Sequence, residues 1–288
     1  MKTKKVLTAR CRCSKKGFLL LALAFVLNCT AVSAQESRVG TLPLKDGERL
    51  HQIGLLVGHY GLLDEYLSPN VYTGVMLGIE EHRSRPLWHQ DDWLFNLTFK
   101  ADVALTSGPN GKGSMNGIMF DGRVAFQKIW LNTPSFSLTA GPEFYLKLGG
   151  VENARNSNNV AQLKLHLAAA ASGEAIWRFR IGNYPLALSW EFDLPLIGYG
   201  FAPTYGLQYY EIAYMNKISE ASHCVWPGNM FAMTQYASVI IPVRHIQLKF
   251  SYAGDYHSSD IGNIRCRINE NAFMVSMVKR FEKIHNGR

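Results

Sequence analysis

Apolar and polar side chains alternate strictly between residues 93 and 105, WLFNLTFKADVAL. The odd positions, from Trp93 to Leu105, are all apolar, whereas the even positions include Asn96, Lys100 and Asp102. An alternation with period two separates the two sets only if the segment is a β-strand. A strand of this length with charges on one face and apolar residues on the other favours a membrane-spanning strand whose polar side faces a lumen.

The same alternation recurs along the rest of the chain and predicts the fold class. The pattern indicates an all-β protein, an antiparallel up-and-down transmembrane β-barrel of about ten strands over residues 50–281. The predicted strands are 50–60, 71–83, 93–105, 118–130, 136–148, 163–181, 186–194, 231–241, 246–256 and 271–281.

The predicted connections alternate between short and long. Short turns are expected at 132–135, 182–185 and 242–245, and longer ones at 106–114, 149–160, 198–229 and 256–269. Short periplasmic turns and long outer loops are typical of outer-membrane barrels. Residues 198–229 form the longest stretch without alternation and are expected to be a long outer loop, either a lid or a plug.

The amino terminus accounts for the basic character of the chain, whose formal net charge is +8. Residues 1–34 hold seven of the 30 basic residues and no acidic residue, so 23 basic and 22 acidic residues remain. Basic residues, then a short apolar run, then Val32-Ser33-Ala34 predict a secretory signal peptide cleaved after Ala34. A lipid-modified Cys29 is the rival interpretation. Neither reading leaves a reason to expect a nucleic-acid partner.

These observations divide the chain into four parts, and we expect the protein in the outer membrane of a Gram-negative cell. We expect a signal peptide at 1–34, a periplasmic lead-in at 35–49, an outer-membrane barrel at 50–281 and a tail at 282–288. The expected partners are outer-membrane lipid and the barrel-assembly machinery, with a small ligand or polysaccharide at the outer loops as an open possibility. The alternating run that ends at Phe281 is similar to the strand signal that such machinery reads.

Two motifs carry a resemblance to a known family. Residues 64–74, DEYLSPNVYTG, and residues 194–212, LPLIGYGFAPTYGLQYYEI, resemble a Bacteroidetes-type family of exported domains of unknown function. The resemblance implies a β protein of the outer membrane or one that faces the periplasm. It supplies no catalytic residues.

One constellation suggests an enzyme. His257, Ser259 and Asn271 have a spacing that resembles the base, nucleophile and orienting amide of outer-membrane phospholipases. Strand parity argues against this site, because His257 and Ser259 are expected to face the lumen, away from lipid. An outer-membrane lipid-modifying hydrolase is therefore an alternative, a soluble periplasmic β-sheet binding protein is another, and an enzyme is not the favoured interpretation.

The favoured interpretation of the inward charges is a network of ion pairs that fills a narrow lumen, which suits a structural or binding protein. No metal-ligand spacing occurs among the histidines, and no cofactor is expected. The predicted network comprises Lys100, Asp102, Asp121, Arg123, Glu143, Lys147, Arg178, Arg180, Glu191 and Asp193.

Cys224 and Cys266 are the two cysteines that follow the predicted signal peptide. The predicted topology places them in adjacent outer loops, and an exported protein can keep a disulfide. We therefore expect a bond between them, provided that the two Cα atoms come within about 7 Å.

Overall fold

The computed structural model describes residues 40, 44, 47–87, 90–153, 155–156, 160–204, 206–244 and 246–282. The predicted signal peptide and residues 283–288 of the tail lie outside these residues. No helix in the described part of the chain is long and apolar enough to cross a lipid bilayer.

Ten long antiparallel strands form a closed barrel, as the alternation predicts. Each strand pairs with the next, and the last strand pairs with the first, so the sheet has no free edge. The strands of the wall are β1 (Glu48–Asp64), β2 (Ser68–Leu87), β3 (Gln90–Ser107), β4 (Ser114–Asn132), β5 (Phe136–Glu152), β6 (Ala161–Ile181), β7 (Tyr184–Phe201), β9 (Met230–Val243), β10 (Ile246–Ile261) and β11 (Ile264–Glu282).

The connections differ in length between the two ends. At the first end, which we call the turn end, residues 88–89, 133–135, 182–183 and 244–245 separate consecutive strands. At the other, the loop end, the connections range from the pair 262–263 to the segment 202–229. The prediction of a long loop at 256–269 is wrong. Strands β10 and β11 continue through most of this range, and Gly262 and Asn263 turn the chain with positive φ angles.

Residues 202–229 carry structure of their own, and we call this segment the lid. It contains the helix α1 (Tyr209–Tyr214), a 3-10 turn at Lys217–Ala221 and the short strand β8 (Ser222–Val225). Strand β8 pairs only with the end of β7 and is not part of the closed wall. Glu211 closes a capping box with Gln208, which fixes the start of α1.

Candidate functional site

The two faces of the wall have opposite character, with charges inside and apolar side chains outside. In β3, Asn96, Lys100 and Asp102 are buried, whereas Phe99 and Val103 are 54% and 45% exposed. Every wall strand exposes at least one large apolar or aromatic side chain: Leu55, Leu77, Phe99, Phe120, Phe144, Trp177, Trp190, Val239, Tyr252 and Phe273. The candidate site is therefore the lumen, because the buried charged and polar side chains face it.

A group of six charged side chains lies at mid-height in the lumen, and we call it the central cluster. It consists of Lys100, Asp102, Asp121, Lys147, Asp255 and Glu270, each at most 5% exposed.

Lys100 connects opposite walls of the barrel. Its Nζ atom lies 3.6 Å from Asp102, 3.5 Å from Asp121 and 3.2 Å from Asp255, and it also donates to Glu270. Because β3 and β4 lie across the ring from β10 and β11 in the strand order, these contacts cross the lumen.

Lys147 on β5 makes a second connection of the same kind. Its Nζ atom is 3.0 Å from Asp121 Oδ1, 3.0 Å from Asp255 Oδ2 and 3.8 Å from Glu270 Oε1. The two lysines thus share three carboxylates, and five strands are joined through one charged group. Removing a partner from such a buried group leaves uncompensated charge in a low-dielectric interior.

A second group lies closer to the turn end and is organised by Arg123. The guanidinium donates to Glu80 Oε2 at 3.0 Å and to the Tyr236 hydroxyl at 2.9 Å, and it also donates to Asp193. Glu80, Asp193 and Tyr236 come from β2, β7 and β9, so this group also crosses the lumen. Lys249 and Glu191 form a further ion pair between β10 and β7.

Several predicted network residues have other surroundings. Glu143 is buried beside the Arg123 group, but its Oε1 atom has no hydrogen-bond partner among the described residues. Arg180 is exposed next to the turn at 182–183. Arg178 donates to backbone carbonyls of Gly40 and Thr133 and to Ser137 Oγ. Its hydrogen bonds thus go to neutral oxygens, because its position near the turn end brings it close to backbone.

The sequence prediction missed three acidic residues that are central to the network, Glu80, Asp255 and Glu270. Asp255 shares strand parity with Lys249, and Glu270 shares it with Ala272 and Met274, which all face inward. The predicted last strand begins at residue 271. Extending its alternation by one residue toward the amino terminus would have identified Glu270 as inward-facing. Nothing local marks Glu80 as a partner of Arg123, because 43 residues separate them.

The turn end contains a residue from outside the wall. Gly40, which the sequence analysis assigns to a periplasmic lead-in, is buried within the lumen. Its carbonyl oxygen accepts hydrogen bonds from Arg178 Nε at 2.9 Å and Nη2 at 2.7 Å. The positions around it are inward-facing residues of β6, β7 and β9, which the lead-in prediction could not anticipate.

The lid covers the loop end by reaching across it. The Tyr66 hydroxyl, in the turn after β1, donates to the Leu207 carbonyl at 2.9 Å, and the Tyr209 hydroxyl accepts from Leu163 N at 2.6 Å. Strands β1 and β7 lie far apart in the ring, so the lid spans the opening. Burial raises the pKa of Tyr66 to about 12, which keeps its hydroxyl available as a donor.

Among the described residues, the lumen contains two cavities of about 30 Å³ each. Each cavity has room for about two or three water molecules. One cavity lies under the lid and is lined by His166, His257, Lys164 and Cys266 among others. The second lies beside Arg123 and is lined by Glu80, Glu143, Glu174, Glu191 and Asp193 among others.

The residues of the hydrolase alternative do not come together. His257 and Ser259 are buried on the inner face, and neither ring nitrogen of His257 has a hydrogen-bond partner among the described residues. Asn271 is on the outer face of β11, where its Oδ1 atom accepts from Tyr252 at 2.6 Å and Tyr256 at 3.2 Å. His257 and Asn271 therefore lie on opposite faces of the sheet, so the Asn271 amide does not orient the His257 imidazole.

Cys224 and Cys266 are free thiols, so the predicted disulfide bond between them is absent. Cys266 is buried in β11, where its Sγ atom accepts from Lys164 Nζ at 3.1 Å. Cys224 is exposed in β8. Strand β11 begins at Ile264, so Cys266 belongs to the wall and not to an outer loop. Within the described ranges, no group of three or more His, Cys, Asp or Glu side chains is arranged to hold a metal ion.

The chain belongs to the family described as a protein of unknown function (DUF3316), whose model matches residues 18–288. This finding confirms the predicted membership of a family of unknown function. No curated protein matches the chain.

Solved structures of outer-membrane barrels resemble the chain at low sequence identity. The transport unit of the autotransporter AIDA-I from Escherichia coli is 7% identical, with 92% of this chain and 97% of that chain covered and a TM-score of 0.45. The COG4313 outer membrane channel from Pseudomonas putida F1 is 8% identical, with 87% of this chain and 100% of that chain covered and a TM-score of 0.38. A Pseudomonas aeruginosa FadL homologue is also 8% identical, with 82% and 90% covered and a TM-score of 0.32.

Proposed function

Since membership of a family of unknown function supplies no activity, we propose from the geometry that this protein is an outer-membrane barrel with a lumen closed by ion pairs. Its role is then structural or ligand-binding, without bulk diffusion of solutes. The observation that carries the proposal is the pair of buried lysines, Lys100 and Lys147, each bound to carboxylates from opposite walls.

The outer surface supports the membrane location. All ten wall strands expose apolar side chains, and the strands of 14 to 21 residues exceed the roughly 9 to 11 residues needed to cross a bilayer. A soluble periplasmic protein would present this continuous apolar belt to water, which monomeric soluble proteins rarely do.

Lysine and arginine side chains that lie over aromatic rings support a membrane boundary near the turn end. Near the turn end, Arg85 lies 4.9 Å from the Phe95 ring, Lys128 Nζ lies 5.3 Å from Trp130, and Lys279 Nζ lies 5.0 Å from Phe281. Aromatic side chains concentrate at membrane interfaces, and lysine or arginine beside them reaches the headgroups. We assign this boundary to the periplasmic leaflet.

Fractionation tests the membrane location. The proposal expects the protein in the outer-membrane fraction, with an electrophoretic mobility that shifts on heating. A soluble periplasmic protein whose mobility does not depend on heating would contradict it.

Planar-bilayer recording tests the closed lumen, and a second variant separates the lid from the ion pairs. We expect no large, steady open-channel current from the intact protein. We also expect none when residues 204–228 are replaced by a short glycine-serine linker, because the ion pairs cross the lumen below the lid. Steady currents from the intact protein would refute the proposal. Currents only after removal of the lid would assign the closure to the lid.

The part of the molecule that we propose for ligand contact is the outer surface of the lid. Tyr210 and Tyr214 of α1 are 59% and 79% exposed, and their rings stack with centroids 5.0 Å apart. Exposed aromatic rings suit stacking on a small ligand or on polysaccharide. Titration with polysaccharide from the same cell surface tests this role, with Tyr210→Ser/Tyr214→Ser as the matched variant. Equal binding by both proteins would exclude this surface.

A further inference from the structure

Two side chains at the turn end of the lumen form hydrogen bonds with the backbone of Gly40. Both backbone hydrogen-bonding groups of Gly40 are used: the N–H donates to Gln247 Oε1 at 3.3 Å, and the carbonyl oxygen accepts two bonds from Arg178. We call Arg178 and Gln247 the glycine clamp. None of these bonds involves a side chain of the bound segment, so the clamp recognises main chain.

The clamp is fixed by the turn end of the wall. Arg178 Nη2 donates to Ser137 Oγ at 2.8 Å, and Nη1 donates to the Thr133 carbonyl at 3.3 Å. These bonds hold the planar guanidinium on β6 at the height of the 133–135 turn. A guanidinium whose N–H donors are already held in place loses little side-chain freedom when it binds a carbonyl oxygen.

The position of Gly40 favours glycine over residues with a side chain. Gly40 has φ +55°, a conformation that side chains disfavour. A Cβ atom there would lie 3.0 Å from Ile176 Cγ2 and 3.1 Å from Ala187 Cβ, which belong to two neighbouring strands of the wall. Both the dihedral angle and the available space therefore select glycine.

We propose that the turn end of the lumen is a peptide-binding site specific for a glycine in the left-handed conformation, occupied in cis by Gly40 of the same chain. Gly40 precedes Glu48, the first residue of β1, by eight residues in the sequence, and Glu48 Oε2 lies 3.3 Å from Arg280 Nη1. A ligand tethered this closely has an effective concentration in the millimolar range or above. A glycine-bearing peptide from another protein therefore competes only after the cis segment is weakened.

The first experiment asks whether the clamp holds the segment in the full-length protein. The reporter is Leu44→Cys in a Cys224→Ser background, because Leu44 is fully buried. We expect Gly40→Ala and Arg178→Ala each to increase the rate of labelling by a bulky maleimide about tenfold or more, since charge-assisted bonds and a steric fit are lost. Trypsin cleavage after Lys45 provides a second readout in chains without the cysteine reporter.

The matched control is Gly182→Ala. Gly182 is also at the turn end and has φ +60°, but nothing lies within 4 Å of its Cβ position. It therefore introduces the same backbone strain without blocking the clamp, and labelling should stay at the rate of the parent protein. If Gly182→Ala accelerates labelling as much as Gly40→Ala, the effect is general loosening and the proposal fails.

The second experiment tests binding in trans. A fluorescent synthetic peptide with the sequence of residues 36–47 is titrated into the full-length Gly40→Ala protein, whose heat-dependent mobility shows that the barrel is folded. We expect saturable binding of this peptide, at least about tenfold weaker binding of the same peptide with alanine at position 40, and loss of binding on adding Arg178→Ala. Equal binding of the two peptides, or binding that does not need Arg178, would overturn the proposal.

Discussion

Phe99 and Lys100 are neighbours in β3, yet one is half exposed on the outside of the barrel and the other is almost fully buried among four carboxylates. In the proposed bilayer, the outer face is stabilised by apolar surroundings and needs no specific partner. The inner face depends on particular charges from strands far apart in sequence. A substitution should therefore be tolerated or rejected according to the side of the strand on which it falls.

Removing the central cation should have the largest effect. Lys100→Met leaves Asp102, Asp121, Asp255 and Glu270 with Lys147 as the remaining central cation, and breaking a buried ion pair from one side costs about 3 to 5 kcal/mol. Urea unfolding in lipid vesicles measures this loss. Phe99→Met, one position earlier on the outer face, is the control and should change stability by about 0.5 kcal/mol. Equal losses in the two variants would remove the distinction between the faces.

A charge placed on the outer face should have a depth-dependent effect. Ala101→Arg, next to Phe99 on that face, should destabilise the barrel by about 2 to 4 kcal/mol in lipid, whereas Ser107→Arg at the end of β3 should cost about 0 to 1 kcal/mol. The same vesicle unfolding assay compares them. Two small and equal effects would mean that no bilayer surrounds this face.

The lid should respond locally to loss of one hydrogen bond. Tyr66→Phe removes the donor to the Leu207 carbonyl and should lower the free energy of lid opening by about 1 kcal/mol, as measured by hydrogen exchange in 206–221. Tyr210→Phe, on the exposed side of α1, should not change it. Because the pKa of Tyr66 is about 12, above the ordinary value of 10, its contribution is present below pH 10 and disappears as the pH rises toward 12. Lid protection that falls at neutral pH would contradict this assignment.

The smallest effect is expected at the exposed pair of Glu65 and Arg265, 2.6 Å apart at the loop end. Hydrogen bonds from Arg265 lower the pKa of Glu65, so the pair contributes stability above the ordinary carboxyl pKa and loses it as the pH falls through the depressed value. The stability of Glu65→Gln should therefore differ slightly from that of the parent protein at pH 7. The two stabilities should be equal at a pH below the depressed pKa of Glu65. A difference that persists in acid would show that the pair does not act through charge.

Strand parity predicted more of the lumen than spacing or motifs did. Lys100, Asp102, Asp121, Arg123 and Lys147 are buried on the predicted inner face, because period two assigns a face without knowledge of the partner strand. The same rule also argued against the hydrolase by placing His257 inside. The disulfide prediction failed because it depended on where a strand ends, and alternation through Cys266 continues after the predicted loop begins.

By itself, the sequence determined the fold class, the approximate number of strands and the orientation of most side chains, because these follow from a local repeat of two residues. Only the tertiary structure decided which carboxylates surround Lys100, that Arg178 binds the backbone of Gly40, and that the lid reaches Tyr66. Most of these contacts join residues far apart in the chain: 170 residues separate Lys100 from Glu270, 138 separate Arg178 from Gly40, and 141 separate Tyr66 from Leu207. Such pairings are set by the closure of the ring and the register of its strands, and no local pattern of residues encodes them.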